Sequence, residues 1–281
     1  MANSMYSDIS TLVGNVYDIA LHSARDMNIM APIVTTWTNL GDSRPRIWAT
    51  YSGGTFASLA ESADAASQAF TPSAAGTATP VLYAQQIILT DRRIKTDPMG
   101  AQSEAGRHLG EKAAEHVDTT LCGTAIFAGL TGGTVGTAAG TLTWANIMRA
   151  SAYLRTAKAP GPYFVVLHPV HWYYLTSASS GVPTLLQNNA ALLNGPLAQF
   201  YQGSYAGMNF LVDANIPGTT AGTAAMFARE AIYLDVRDPF AIEPQRDASL
   251  GGGAWELNAT LEYVAGVYRP TFGCQLLGVT S

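Results

Sequence analysis

Charge is what this sequence has least of. Only 12% of its 281 residues are Asp, Glu, Lys or Arg, about half of the roughly 25% usual in soluble domains. A monomer normally covers its surface with charge, so this shortage points to a surface covered by partners. The net charge is −5 and the 15 Lys and Arg form no basic run. Nucleic-acid recognition rests on clustered cations that displace counterions, so direct DNA or RNA readout is not expected. A mildly acidic protein can still enclose DNA that slides against it. Cysteine is scarce too. Cys122 and Cys274 are the two, and neither stands in a CxxC pair. That argues against a zinc site, a redox motif or a disulfide scaffold, and fits a reducing cytoplasm. No apolar run approaches transmembrane length. The start, MANSMYSDIS, lacks the basic and apolar blocks of a signal peptide, so no membrane partner is expected.

Catalytic patterns are missing as well. There is no GxxxxGK[ST] phosphate loop, and the glycines at 132–140 neither match GxGxxG nor follow a clear strand. Gly203-Ser204-Tyr205-Ala206-Gly207 resembles a GxSxG nucleophile elbow only superficially. His168 and His171 are the sole close histidine pair, and no third ligand lies near them in sequence. They read as a strand-end histidine and a helical one. Asp91, Arg92 and Arg93 read as a solvated or interface face. No catalytic residue, cofactor or metal is therefore expected, and the chain is read as a non-enzyme.

What is present is a series of long elements. Residues 8–27 carry Ile9, Leu12, Val13, Val16, Ile19, Ala20 and Met27 at helical spacing, behind Ser7 as a cap. The polar face is not basic, which argues for an arm on a protein surface over a membrane-surface helix. Residues 44–52 and 79–94 read as extended. Between them lies a small-residue span with only Phe56, Leu59 and Phe70 as large anchors. It predicts a protruding hairpin whose tip another surface covers.

The spacing predicts a helix over 99–122, with Ala105, Leu109, Ala113, Val117 and Leu121 stepping by four. Arg107 and Glu111 are placed to pair on it. Residues 128–141 read as a low-complexity linker. From 143 to 235, helices and strands alternate as in a compact α/β unit, with Thr143 capping a helix and 162–168 forming a buried strand. Trp255, Leu257, Ala259, Leu261, Tyr263, Ala265 and Val267 alternate with polar residues, a period-two strand far longer than the usual 5–6 residues. With 232–243 and the turn Gly251-Gly252-Gly253 it predicts a long hairpin. The helix 99–122 should cover that hairpin's apolar face, so that Leu109, Val117 or Leu121 meets Leu257, Leu261 or Tyr263.

The order of these elements resembles the major capsid proteins of tailed bacteriophages, the HK97-fold family, over nearly the whole chain. The stretch LLNGPLAQFYQGSYAGMNFLVDANIPG resembles the family's glycine–apolar strand–Pro-Gly pattern, and DVRDPFAIEPQRDASLGGGAWELNATLEYVAGVYRPTFGCQLLG resembles its closing strands. The resemblance implies an α+β fold in four parts. These are an N-terminal arm (1–43), an extended β-hairpin loop (44–92), a peripheral domain with a long spine helix (93–142 and 236–270), and an axial α/β domain (143–235 and 271–281). It implies self-assembly of hexamers and pentamers into an icosahedral shell around double-stranded DNA, in a virion capsid put together in the host cytoplasm. No built-in scaffold segment or large inserted domain is visible, which implies a separate scaffolding protein, with a portal as a further partner. Glu61 and Asp64 in the loop are the acidic candidates for contacts between subunits; Arg92, Arg93 and Arg107 are the basic ones. The rival readings are an encapsulin-type compartment subunit, a soluble α/β enzyme and a tail-tube subunit.

Overall fold

A computed structural model describes residues 20, 28–52, 56, 58–59, 61, 64, 67, 71–96, 100–177, 200–217, 222–249 and 252–279. The expected arm helix 8–27 lies outside them, except Ala20. In chain order, the strands Thr35–Thr38 (β1), Arg46–Ser52 (β2), Thr71–Ala78 (β3) and Val81–Thr90 (β4) come first. The helices Asp91–Thr96 (α1), Gly100–Leu121 (α2) and Thr124–Ala128 (α3) follow. Then come Thr134–Gly136 (β5), Trp144–Thr156 (α4), Tyr163–Leu167 (β6) and Pro169–Ser177 (α5). Tyr201–Tyr205 (β7), Met208–Val212 (β8), Gly222–Ala228 (β9), Ile232–Asp247 (β10), Ala254–Val267 (β11) and Gly273–Gly278 (β12) complete the chain.

Among the described residues these strands form three sheets. A four-stranded sheet runs β1-β10-β11-β4, a six-stranded sheet runs β5-β12-β9-β6-β8-β7, and β2 and β3 pair as a separate antiparallel ribbon. The predicted long hairpin is β10–β11, antiparallel from Ile232↔Val267 to Asp247↔Ala254. Gly252 and Gly253, both at positive φ, lie between its strands. It is no lone hairpin, since β1 and β4 flank it. Helix α2 lies on it as the spacing predicted. Leu109 shares a buried cluster with Leu257 and Ala259, and Val117 and Leu121 share another with Tyr263. The Tyr263 hydroxyl stands 2.8 Å from that of Thr120, and burial pushes its pKa up to about 12.

Strand β6 is buried throughout, on two faces. Phe164 and Val166 belong to the cluster shared with α2, whereas Val165 and Leu167 belong to the one shared with α4. Helix α4 begins where Thr143 was expected to cap it, its side chain accepting from the Asn146 N–H. Gly110 has the close-packing role that a mid-helix glycine suggests, since a Cβ there would stand 2.0 Å from the Ala20 carbonyl oxygen.

Three readings are corrected. The span 79–94 is not one strand. Pro80 lacks the N–H a ladder needs and separates β3 from β4; Thr90 then accepts from the Arg93 N–H and opens α1, with Asp91 in its first turn and Lys95 in its last. The small-residue span is not all tip either, because 71–78 is β3 and pairs with β2. The hairpin is therefore β2–β3, and β4 lies within the expected loop range 44–92 but pairs with β11 from Val81↔Tyr263 to Thr90↔Ala254. Likewise β5, in the segment read as a linker, adds to the edge of the six-stranded sheet beside β12.

Candidate assembly surfaces

The β2–β3 ribbon needs an anchor, and its base supplies one. Trp48 on β2, Trp37 on β1 and Tyr233 on β10 form an aromatic knot, with Trp37 and Tyr233 stacked at 5.0 Å and Trp48 edge-on to Tyr233 at 5.2 Å. Tyr268 joins it edge-on. A Cβ at Gly76 of β3 would stand 2.3 Å from the Trp48 ring, so only glycine lets that ring lie across the ribbon. The Arg46 guanidinium stacks over Trp37 and donates from Nε to Asp235 Oδ2 at 2.8 Å. Asp235 also accepts from Arg237 Nη2 at 2.9 Å, and Arg237 Nη1 donates to the Asp42 carbonyl at 2.8 Å. Asp235 and Arg237 are both buried, and it is the Arg46–Asp235 pair that ties the ribbon to β10.

Past the knot the ribbon presents apolar side chains to solvent. Ile47 and Tyr51 on β2 are exposed, and so are Phe56 and Leu59 beyond it. Glu61 and Asp64 are exposed too. Arg92 and Arg93 are exposed on α1, beside Asp91, whose carboxylate is held by Arg246 and lies below the ordinary carboxylate pKa for that reason. Arg107 sits differently. It pairs within its own helix with Glu104 and, as its spacing predicted, with Glu111 at 3.0 Å.

A groove of about 520 Å³ opens between α2 and the four-stranded sheet, lined by Leu109, Ala113, His116, Phe240 and Leu261 with Tyr83 at its edge. Strand β4 borders it, and Val81, Leu82 and Ile88 on that strand are exposed. Large contiguous apolar surfaces on a soluble chain mark contact sites.

Among the described residues, no third potential ligand stands with the histidine pair. His171 is buried on α5, half-buried His168 accepts from the Val170 N–H through Nδ1, and the rings stand 6.2 Å apart. Burial lowers the pKa of each. Among the described residues, Asp118, Cys122 and Asp213 bring side-chain atoms within 4.8 Å of one another; Asp118 and Cys122 are one helical turn apart, but Asp213 follows 91 positions later, so no local spacing joins the three. Arg46, Asp235 and Arg237 were also missed; for the last two the signal was an opposite-charge pair in mid-strand, within IYLDVRD.

These features define a class: a two-sheet α/β chain with a long helix on a long hairpin and a projecting β-ribbon, the fold of phage capsid subunits. The structure is similar to that of Mycobacterium phage Che8 at a TM-score of 0.65 and 16% identity, covering 89% of this chain and 90% of that one. It is similar to the head structure of Helicobacter pylori bacteriophage KHP40 at 0.66 and 9%, with 91% of each chain covered. It is also similar to a virus-like particle from Pyrococcus furiosus at 0.60 and 10%, covering 94% and 98%. No curated protein matches the sequence. The family model for phage capsid proteins matches residues 74–276. The chain belongs to the phage capsid protein family, a family of structural proteins, and the resemblance read from the sequence is borne out at that level. It is a capsid shell protein.

Proposed function

We propose that this chain is the major capsid subunit of a tailed phage, closing an icosahedral shell of hexamers and pentamers around double-stranded DNA. The observation that carries this reading is the β2–β3 ribbon. It is fixed rigidly at its base, yet it presents Ile47, Tyr51, Phe56 and Leu59 to solvent, an arrangement that a lone chain gains nothing from. The four-stranded sheet with α2 as spine then serves as the peripheral domain (93–142 and 236–270, with β4 added). The six-stranded sheet serves as the axial domain (143–235 and 271–281), and residues 1–43 as the arm. The ribbon lies over a neighbour's peripheral domain, where the groove beside α2 is an apolar surface for its tip. Glu61 and Asp64 meet Arg92 and Arg93 of that neighbour; Arg107, bound in its own helix, is the weaker candidate. A separate scaffolding protein and a portal complete assembly in the host cytoplasm.

Electron microscopy of the expressed chain, alone and with its scaffolding protein, tests the shell, and nuclease-resistant DNA in particles from infected cells tests the contents. Monomers under every condition would remove the shell reading. The Pyrococcus virus-like particle favours a second reading, a compartment that holds no phage genome; regular shells without nuclease-resistant DNA would select it.

A further inference from the structure

Two buried carboxyl groups meet where three parts of the chain join. Asp118 on α2 and Asp213 after β8 are both fully buried. Asp118 Oδ1 accepts from the backbone N–H groups of Ile29 at 3.1 Å and Met30 at 2.8 Å, and its Oδ2 accepts from Asn215 Nδ2 at 2.9 Å. Asp213 accepts from the Asn215 N–H at 2.8 Å and from the Cys122 thiol at 3.1 Å. This junction holds the segment that leads into β1 against both the long helix and the six-stranded sheet.

The charges do not balance as two carboxylates. Facing the pair are Cys122 from α2, Asn215 from the loop after β8, the N–H groups of Ile29 and Met30 from the N-terminal segment, and His168 on the Asp213 side. Burial lowers the pKa of His168, so its imidazole brings no compensating positive charge near neutrality, and burial raises that of Cys122, which stays a neutral thiol. Among the described residues, no Lys or Arg is among the groups acting on Asp118. Two like charges this close in a dry site do not both ionise. Burial first, then the Asp213 charge and a hydrogen bond to Asp213, push the Asp118 pKa up to about 8.

We propose that Asp118 and Asp213 share one proton as a latch that docks residues 28–34 onto the shell subunit's body, and that loss of this proton releases the segment. Opening lets water reach the pair, and the proton leaves to solvent. The docked state therefore binds one proton more than the opened state, from above the ordinary carboxylate pKa up to the raised one. Across that window opening becomes about tenfold easier per pH unit. Subunits in alkaline medium carry a loosened N-terminal segment; acidified ones carry it docked.

Amide hydrogen exchange on the full-length chain tests this, corrected for the intrinsic pH dependence of exchange. Protection at Ile29 and Met30 should fall about tenfold per pH unit from about pH 5 to about pH 7, while Val165 in β6 keeps its protection. In Asp118→Asn the amide oxygen still accepts from both N–H groups, so protection should persist with no slope. Asp213→Asn should flatten the slope likewise, which covers a poorly folded first variant. Infrared spectra of the wild-type chain should show one buried protonated carboxyl at neutral pH. A flat wild-type profile, a slope shared by Val165, a slope that survives in Asp118→Asn, or no protonated carboxyl would each overturn the latch.

Discussion

Truncating Leu109 and Leu257 separately tests the packing of α2 on the long hairpin, because the two leucines touch the same cluster from opposite sides. Leu109 is 1% exposed and Leu257 2%, so burial alone ranks them equal. Their surroundings do not. Leu109 also lines the groove beside α2, so the space left by Leu109→Ala opens towards water and need not stay empty. Leu257 lies within the sheet, between Pro244 on β10 and Ile87 on β4, and does not line the groove. The cost of such truncations combines the lost transfer of the side chain with the cavity left behind, about 2–5 kcal/mol in all. Leu109→Ala should therefore cost about 2–3 kcal/mol and Leu257→Ala about 3–5 kcal/mol. Urea unfolding of the unassembled subunit gives both values, and soluble yield should follow the same order. A neutral Leu109→Ala, or a larger loss there than at Leu257, would refute the packing argument.

The aromatic knot and its ion pair give a second test: Asp235→Ala leaves the buried Arg237 guanidinium without its carboxylate and should cost about 3–5 kcal/mol in unfolding experiments. Gly110→Ala places a Cβ against the Ala20 carbonyl, so limited proteolysis should cut the N-terminal segment faster while the core resists as before. Phe56→Ser removes a fully exposed side chain and should leave subunit stability within about 0.5 kcal/mol, yet sharply lower the yield of shells by sedimentation. Glu61→Lys should also reduce assembly yield, and a matching Arg92→Glu or Arg93→Glu should restore part of it if that arginine is the partner; one exposed pair contributes only about 0–1 kcal/mol, but a shell repeats it at every subunit.

The legible elements were those whose periodicity ran long enough to outvote local noise. Helix α2 and strand β11 each carry a regular apolar repeat, and their contact could be deduced because a long sheet face had to be covered. The division of 71–96 was not legible in the same way. TPVLYAQQIILTDRRI reads as one extended run, since Pro80 stands at its edge and the start signals of α1, Thr90 and Asp91, follow directly on β-formers. Strand β5 was hidden because three residues among glycines carry no period, and its partner β12 lies 141 positions further on, as in Gln275↔Thr134, a separation no local pattern reports. The acidic latch was invisible for a related reason. Asp118, Asp213 and the Ile29–Met30 amides meet only after the two sheets have formed, and each aspartate alone reads as an ordinary polar residue.

Under the proposed function, the same layout keeps the residues that hold the fold together apart from those that would meet a neighbour. The chain's stability resides in three buried clusters that lie within the body, and none of them includes Ile47, Tyr51, Phe56 or Leu59. The apolar side chains proposed to meet partners sit instead on the β2–β3 ribbon and beyond it, where they are exposed. The aromatic knot matters in this scheme because it fixes the direction of the ribbon. A ribbon free to swing would lose orientational entropy at every contact, whereas one pinned by Trp37, Trp48, Tyr233 and the Arg46–Asp235 pair presents its tip already placed. Loosening the knot should therefore damage assembly more than it damages folding, and truncating the clusters should do the reverse.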